Sequence, residues 1–186
     1  MMRGPNLNGW LTAVAIAGMS LTGAWEARAA GFGVKGGVGL LQKDDLIYGG
    51  TTTGKALWMV GGYVDVGGVA SSRLRITPAL EYSSRSGTKV TSVSLEGRFQ
   101  FFRGPKAVVY AGMGPGINVK KVTSRDITGA LRTDRVTQGT LNVPFGVEWK
   151  LGGGGLRWIF EMKMAIADSQ TDSAYRIGTG FGFSLK

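Results

Sequence analysis

The sequence predicts an all-β chain of eight antiparallel strands, and three observations point to it. Apolar and polar side chains alternate with a two-residue period in segment after segment. The connections between segments alternate between tight and longer. Glycines gather on the polar parity of two strands. The clearest alternation runs from Leu156 to Ile166, where Leu156, Trp158, Phe160, Met162, Met164 and Ile166 share one parity while Arg157, Glu161 and Lys163 share the other. A strand sends successive side chains to opposite faces, so this segment has one oily and one charged face.

Taken in order, the first segment covers about 31–41 and carries Phe32 near its start. A long connection, Gln42 to Gly54, leads into 55–66, which carries Trp58 and ends at the tight Gly67–Ser71 turn. The third, 72–83, sets Arg75 and Glu81 on one parity and Tyr82 on the other, and a shorter connection near Ser84 to Thr88 follows. The fourth, 89–102, alternates Glu96 and Arg98 with apolar residues up to Phe101, and Arg103-Gly104-Pro105 turns the chain into 106–120. That fifth strand carries Gly112, Gly114 and Gly116 on one parity, and Lys121 to Thr137 is expected to be the longest loop. The sixth, 138–151, places Glu148 and Lys150 opposite Trp149, and Gly152–Gly155 turns into the seventh, 156–167. After a short connection from Asp168 to Ser173, the eighth, 174–186, alternates Tyr175, Ile177, Thr179, Phe181, Phe183 and Leu185 against Arg176, Gly178, Gly180 and Gly182. Pro78, Pro115 and Pro144 fall inside these strands, where each removes a ladder donor, and are expected at bulges or displaced strand ends.

Alternation alone does not separate a soluble sheet from a membrane barrel. Glycine runs on a water-exposed face would weaken a strand for no gain, whereas inside an eight-stranded barrel they make room for long charged side chains. The aromatics agree. Trp149, Trp158, Phe32, Phe101 and Phe183 fall near one end, and Trp58, Tyr82 and Tyr175 near the other, as interfacial girdles do. Strand lengths suit a tilted bilayer crossing, with polar residues inside and apolar ones outside.

The N-terminus reads as a cleaved signal peptide over residues 1–29: Arg3 in a short polar region, an apolar stretch from Trp10 to Leu21, and Ala27-Arg28-Ala29 at the cleavage point. Residues 30–186 are then the barrel domain. Lys and Arg number 22 against 12 Asp and Glu, so anionic partners are favoured; interleaving of the charges at strand period argues against nucleic acid. Cysteine and histidine are absent, which excludes disulfides, thiolate metal sites and the commonest general base.

Over residues 30–186 the chain resembles the small outer-membrane β-barrels of the OmpA/OmpX type. The resemblance implies a transmembrane barrel of the Gram-negative envelope, with the outer membrane as location and the barrel assembly machinery as a partner during insertion. Many such barrels end on an aromatic residue; here the alternation reaches Leu185 and Lys186 is terminal. The enzymes among such barrels rely on histidine, so none of their mechanisms carries over.

Candidate chemistry is sparse, and neither a cofactor nor a catalytic or metal site is expected. Gly49 to Lys55 has Walker-like glycines before its lysine, but Ala56 replaces the Mg²⁺-binding hydroxyl and a strand follows. Asp44-Asp45 reads as a solvated pair. Arg75, Glu81, Glu96, Arg98, Glu148, Lys150, Arg157, Glu161, Lys163 and Arg176 share the lumen parity and are expected to form a buried ion-pair network that plugs the interior. Lys121, Arg125, Arg132 and Arg135, set against Asp126 and Asp134, are expected to contact anionic groups such as lipopolysaccharide phosphates. The function expected is a non-enzymatic outer-membrane barrel with an envelope-structural or surface-contact role. The alternatives are a narrow porin-like channel and a soluble periplasmic barrel of lipocalin kind that binds a ligand.

Overall fold

A computed structural model describes residues 31–42, 55–68, 73–125, 129–167 and 173–185. The signal-peptide segment, Asp44-Asp45 and the Gly49–Gly54 stretch lie outside them. The strands are β1 (Gly31–Gln42), β2 (Lys55–Gly68), β3 (Leu74–Arg85), β4 (Thr88–Arg103), β5 (Ala107–Arg125), β6 (Leu131–Lys150), β7 (Leu156–Ala167) and β8 (Ser173–Ser184). Each pairs antiparallel with the next, and β8 returns to β1 from Gly31↔Ser184 to Gln42↔Ser173, closing the ring. Closure removes both sheet edges over the height of the ring.

The faces are inverted relative to a soluble barrel. Met113 on the outer wall is 65% exposed while Glu96 inside is fully buried. Val34, Trp58, Leu80, Leu95, Phe99, Phe145, Met162 and Phe181 are likewise exposed, and together they form a continuous apolar belt. Such a belt is tolerable only against lipid. Aromatic pairs mark the two rims: Trp149–Trp158 and Phe32–Phe183 stack at the tight-turn rim, 4.7 and 5.8 Å between centroids, and Trp58–Tyr82 meet tilted at the opposite rim, 5.6 Å apart.

The prolines correct an expectation. None sits at a bulge or a strand end; the bulges lie between Val66 and Gly68 and between Gln100 and Phe102. Instead each proline interrupts one of its two ladders without shifting register. Pairing resumes in the same register on either side of Pro78 toward β2, Pro115 toward β4 and Pro144 toward β5. On its other side each stays paired, Pro78 with Leu95, Pro115 with Leu141 and Pro144 with Lys163. A strand interior to a ring has two neighbours, so losing one donor costs one bond and not the strand.

The connection between β5 and β6 is a second correction. The segment expected to be a loop from Lys121 to Thr137 is largely strand, paired from Lys121↔Arg135 through Arg125↔Leu131. Val122, Thr123, Thr133, Val136 and Thr137 are β-branched and suit a pleated surface, and Gly129 with φ of 82° serves the turn. Thr123 and Thr133 face each other, hydroxyl to hydroxyl at 3.1 Å. Because β4 ends its pairing with β5 at Thr88↔Val122 and β7 ends its pairing with β6 at Thr140↔Ala167, this hairpin stands beyond the rim. On the same rim β3 and β4 are joined by Ser86-Gly87, both at positive φ, a two-residue turn as tight as any on the opposite rim.

Candidate functional site

The lumen is filled by ionic side chains projected from five strands. Lys35 (β1) bonds both Glu81 (β3), at 2.5 Å, and Glu161 (β7). Lys163 (β7) lies 2.7 Å from Glu81 and 2.5 Å from Glu96. Arg98 (β4) reaches Glu96 and Glu161, each at 2.8 Å. Arg176 (β8) pairs with Glu81 and donates to the Ser92 hydroxyl at 2.7 Å. Tyr110 donates its hydroxyl to Glu161 at 2.7 Å, and the Arg98 guanidinium sits over the rings of Tyr63 and Tyr110. Each carboxylate thus accepts from several cations or hydroxyls, the condition under which buried charges are tolerated.

Toward the tight-turn rim two further pairs complete the interior. Arg75 binds Asp65 at 2.8 Å, and Thr77 donates to the same carboxylate. Arg157 binds Glu148 at 2.6 Å and donates to Ser184. Of the residues expected in this network, Lys150 is not brought in. It is the last residue of β6, still paired with Arg157 of β7, and at this exposed rim position it reaches the Gly104 carbonyl instead.

Sequence reasoning missed Lys35, Asp65 and Tyr110, and the first had a readable signal. Lys35 lies between Gly61 on β2 and Gly180 on β8. In the same way Glu161 lies between Gly146 and Gly178, and Arg98 beside Gly112. A long ionic side chain with glycine on the adjacent strand gains the room it needs. In β1 the lysine also interrupts a run of glycines at 31, 33, 37 and 39 on its own parity. Asp65 and Tyr110 were hidden because their lumen parity also carries Leu57, Met59, Tyr63 and Val108, all buried.

Two cavities of about 10 Å³ flank the cluster. One is lined by Tyr63, Asp65, Glu148 and Arg157 and the other by Leu57, Ser83, Val90 and Arg176. Each has room for about one water at most.

The basic residues of the protruding hairpin separate into two faces. Lys121 and Arg135 are directly paired and point outward with the lipid-facing parity of their strands. Arg132 has the lumen parity and pairs with Asp134 at 3.2 Å, both exposed. Arg125 closes β5 opposite Leu131; its side chain is outside the described residues.

No protein-family model and no curated protein sequence matches the chain. Solved structures do. Neisserial surface protein A is similar with a TM-score of 0.64 at 11% identity, over 85% of this chain and 99% of that one. The N-terminal barrel domain of Pseudomonas aeruginosa OprF gives 0.61 at 11% identity, over 84% and 97%. The attachment invasion locus protein Ail of Yersinia pestis gives 0.58 at 10% identity, over 84% and 98%. With its closed ring, apolar belt and ionic interior, the chain therefore has the fold of the small eight-stranded outer-membrane β-barrels, the OmpA/OmpX type.

Proposed function

We propose that this protein is a non-enzymatic integral outer-membrane barrel, exported by a cleaved signal peptide and inserted by the barrel assembly machinery. Its role is envelope-structural or surface-contacting, and the basic β5–β6 hairpin meets anionic groups of the outer leaflet. One observation carries the reading: an ionic cluster fills the barrel's cross-section while the wall around it is apolar. Lumen carboxylates tied to lysine and arginine are poor acids or bases for catalysis, and histidine and cysteine are absent from the sequence. A cluster flanked by spaces for single waters also opposes a conducting pore.

The test is purification from the outer-membrane fraction, a gel shift between unboiled and boiled samples, and planar-bilayer conductance. The reading expects outer-membrane partition, a heat-dependent shift and no sustained current. Steady ohmic conductance would instead establish the narrow pore, and recovery from the periplasm without membrane would establish the soluble ligand-binding barrel.

A further inference from the structure

Just above the apolar belt on the hairpin rim, three cations stand in one cross-strand row. Lys89 on β4 is directly paired with Lys121 on β5, and Lys121 with Arg135 on β6. All three are exposed and share the outward, lipid-facing parity of their strands. Facing residues on neighbouring strands hold their Cβ atoms about 4.5–5.5 Å apart, and like charges so placed destabilise a sheet. Among the described residues none of the three forms an ion pair with a carboxylate. Among the described residues the row is therefore a positive site with no carboxylate partner, roughly 10 Å across at the usual strand spacing.

Its height identifies the counter-charge. Two residues below it along the strands lies the Thr91–Val119–Thr137 row, and two further down begins the belt, with Val93 and Ile117 exposed. The same ladder level continues through Ser84 to Trp58, whose ring packs on Tyr82. Trp and Tyr together at a strand end mark the membrane–water interface. Four residues of a strand tilted at about 40° rise roughly 10 Å, which places the cations in the headgroup layer. An anion held there whose hydrocarbon can lie along Val93, Ile117, Leu95 and Leu141 is a lipid phosphate.

We propose that Lys89, Lys121 and Arg135 form a binding site for the phosphate headgroup of an outer-leaflet lipid. The site deepens the membrane-barrel reading and rests on it. It also reassigns the anion contact of the hairpin. Lys121 and Arg135 belong to the site, Lys89 from the neighbouring strand completes it, and the Arg132–Asp134 pair at the tip does not take part.

The experiment uses the folded barrel in neutral-detergent micelles. Its ligands are phosphorylated lipid A, dephosphorylated lipid A, inorganic phosphate and a heparin fragment, and affinity is read from the ligand-dependent rise of the unfolding midpoint. Cations near a membrane surface contribute enough that replacing all three with Gln should weaken phosphorylated lipid A binding roughly a hundredfold. Arg132→Gln should leave it unchanged, and the other three ligands should bind far more weakly. Lys121→Gln carries a second readout: without lipid it should raise the midpoint by relieving repulsion, and with phosphorylated lipid it should fall below the wild type. If the triple variant does not fold, this crossover in the single variant decides alone. Unchanged lipid affinity in the variants, absence of the crossover, or wild-type binding of inorganic phosphate or heparin as tight as that of the lipid overturns the proposal. Failure of the protein to partition into the outer membrane would overturn the underlying reading, whereas correct partition with unchanged affinity overturns only this site.

Discussion

Replacing Glu161 by Gln tests whether the lumen is a dry ionic plug. The substitution keeps size and removes one negative charge from a site where Arg98 lies at 2.8 Å, Lys163 at 4.0 Å and the Tyr110 hydroxyl at 2.7 Å, with the Lys35 ammonium also bonded. In the central cluster Lys35, Arg98, Lys163 and Arg176 face Glu81, Glu96 and Glu161; the variant leaves the same cations facing two carboxylates. Stranding charge in a buried site costs about 3–5 kcal/mol, and no cavity forms to confuse the result. Lys35→Met removes a cation that Glu161 shares with Glu81, so the double variant should cost less than the two single ones added, by about 1–3 kcal/mol. Urea unfolding of the protein in lipid vesicles, followed by tryptophan emission and by the heat-shifted gel band, gives all the values needed. A Glu161→Gln change within about 0.5 kcal/mol of wild type, or strict additivity, would mean that these charges are hydrated and the interior is open.

The remaining predictions concern walls, closure and orientation. Met162, mid-strand and 48% exposed, faces lipid, so Met162→Arg should lose about 2–4 kcal/mol in the same unfolding assay, and a neutral result would argue against a lipid-facing wall. A side chain added at Gly180 would meet the β1 backbone around Val34 and Lys35, so Gly180→Leu should block the β1–β8 closure and abolish the heat-dependent gel shift. Gly139, where a Cβ meets nothing within 4 Å, should tolerate the same change. With the hairpin outside the cell, Thr133→Cys should label with an impermeant thiol reagent on intact cells while Gly153→Cys in the tight turn labels only after lysis; the reverse pattern would invert the barrel.

Much of this architecture is local information. A strand's two-residue period assigns each side chain to a face from its position alone, so β7 and β8 declared both their lipid and lumen sides, and aromatics near strand ends marked the rims. Strand count followed because Gly104-Pro105 and Gly152–Gly155 can only be turns. Where both faces carry apolar residues, as in β2 with Leu57 and Met59 inside and Trp58 and Val60 outside, the period loses its meaning and Asp65 stayed hidden.

What the sequence by itself determined was the alternation, and with it the inside-out barrel and the ionic character of the lumen. Register was beyond it, because register is a relation between strands that closes only when the ring does. Register put Lys35 between Gly61 and Gly180 and made it the partner of Glu81 and Glu161, residues far apart in the chain. Register also turned an expected charged loop into a paired hairpin and set Lys89, Lys121 and Arg135 side by side in one cross-strand row. Charge at a position is written in the chain; the neighbour that balances it, or leaves it unbalanced, is set across the sheet.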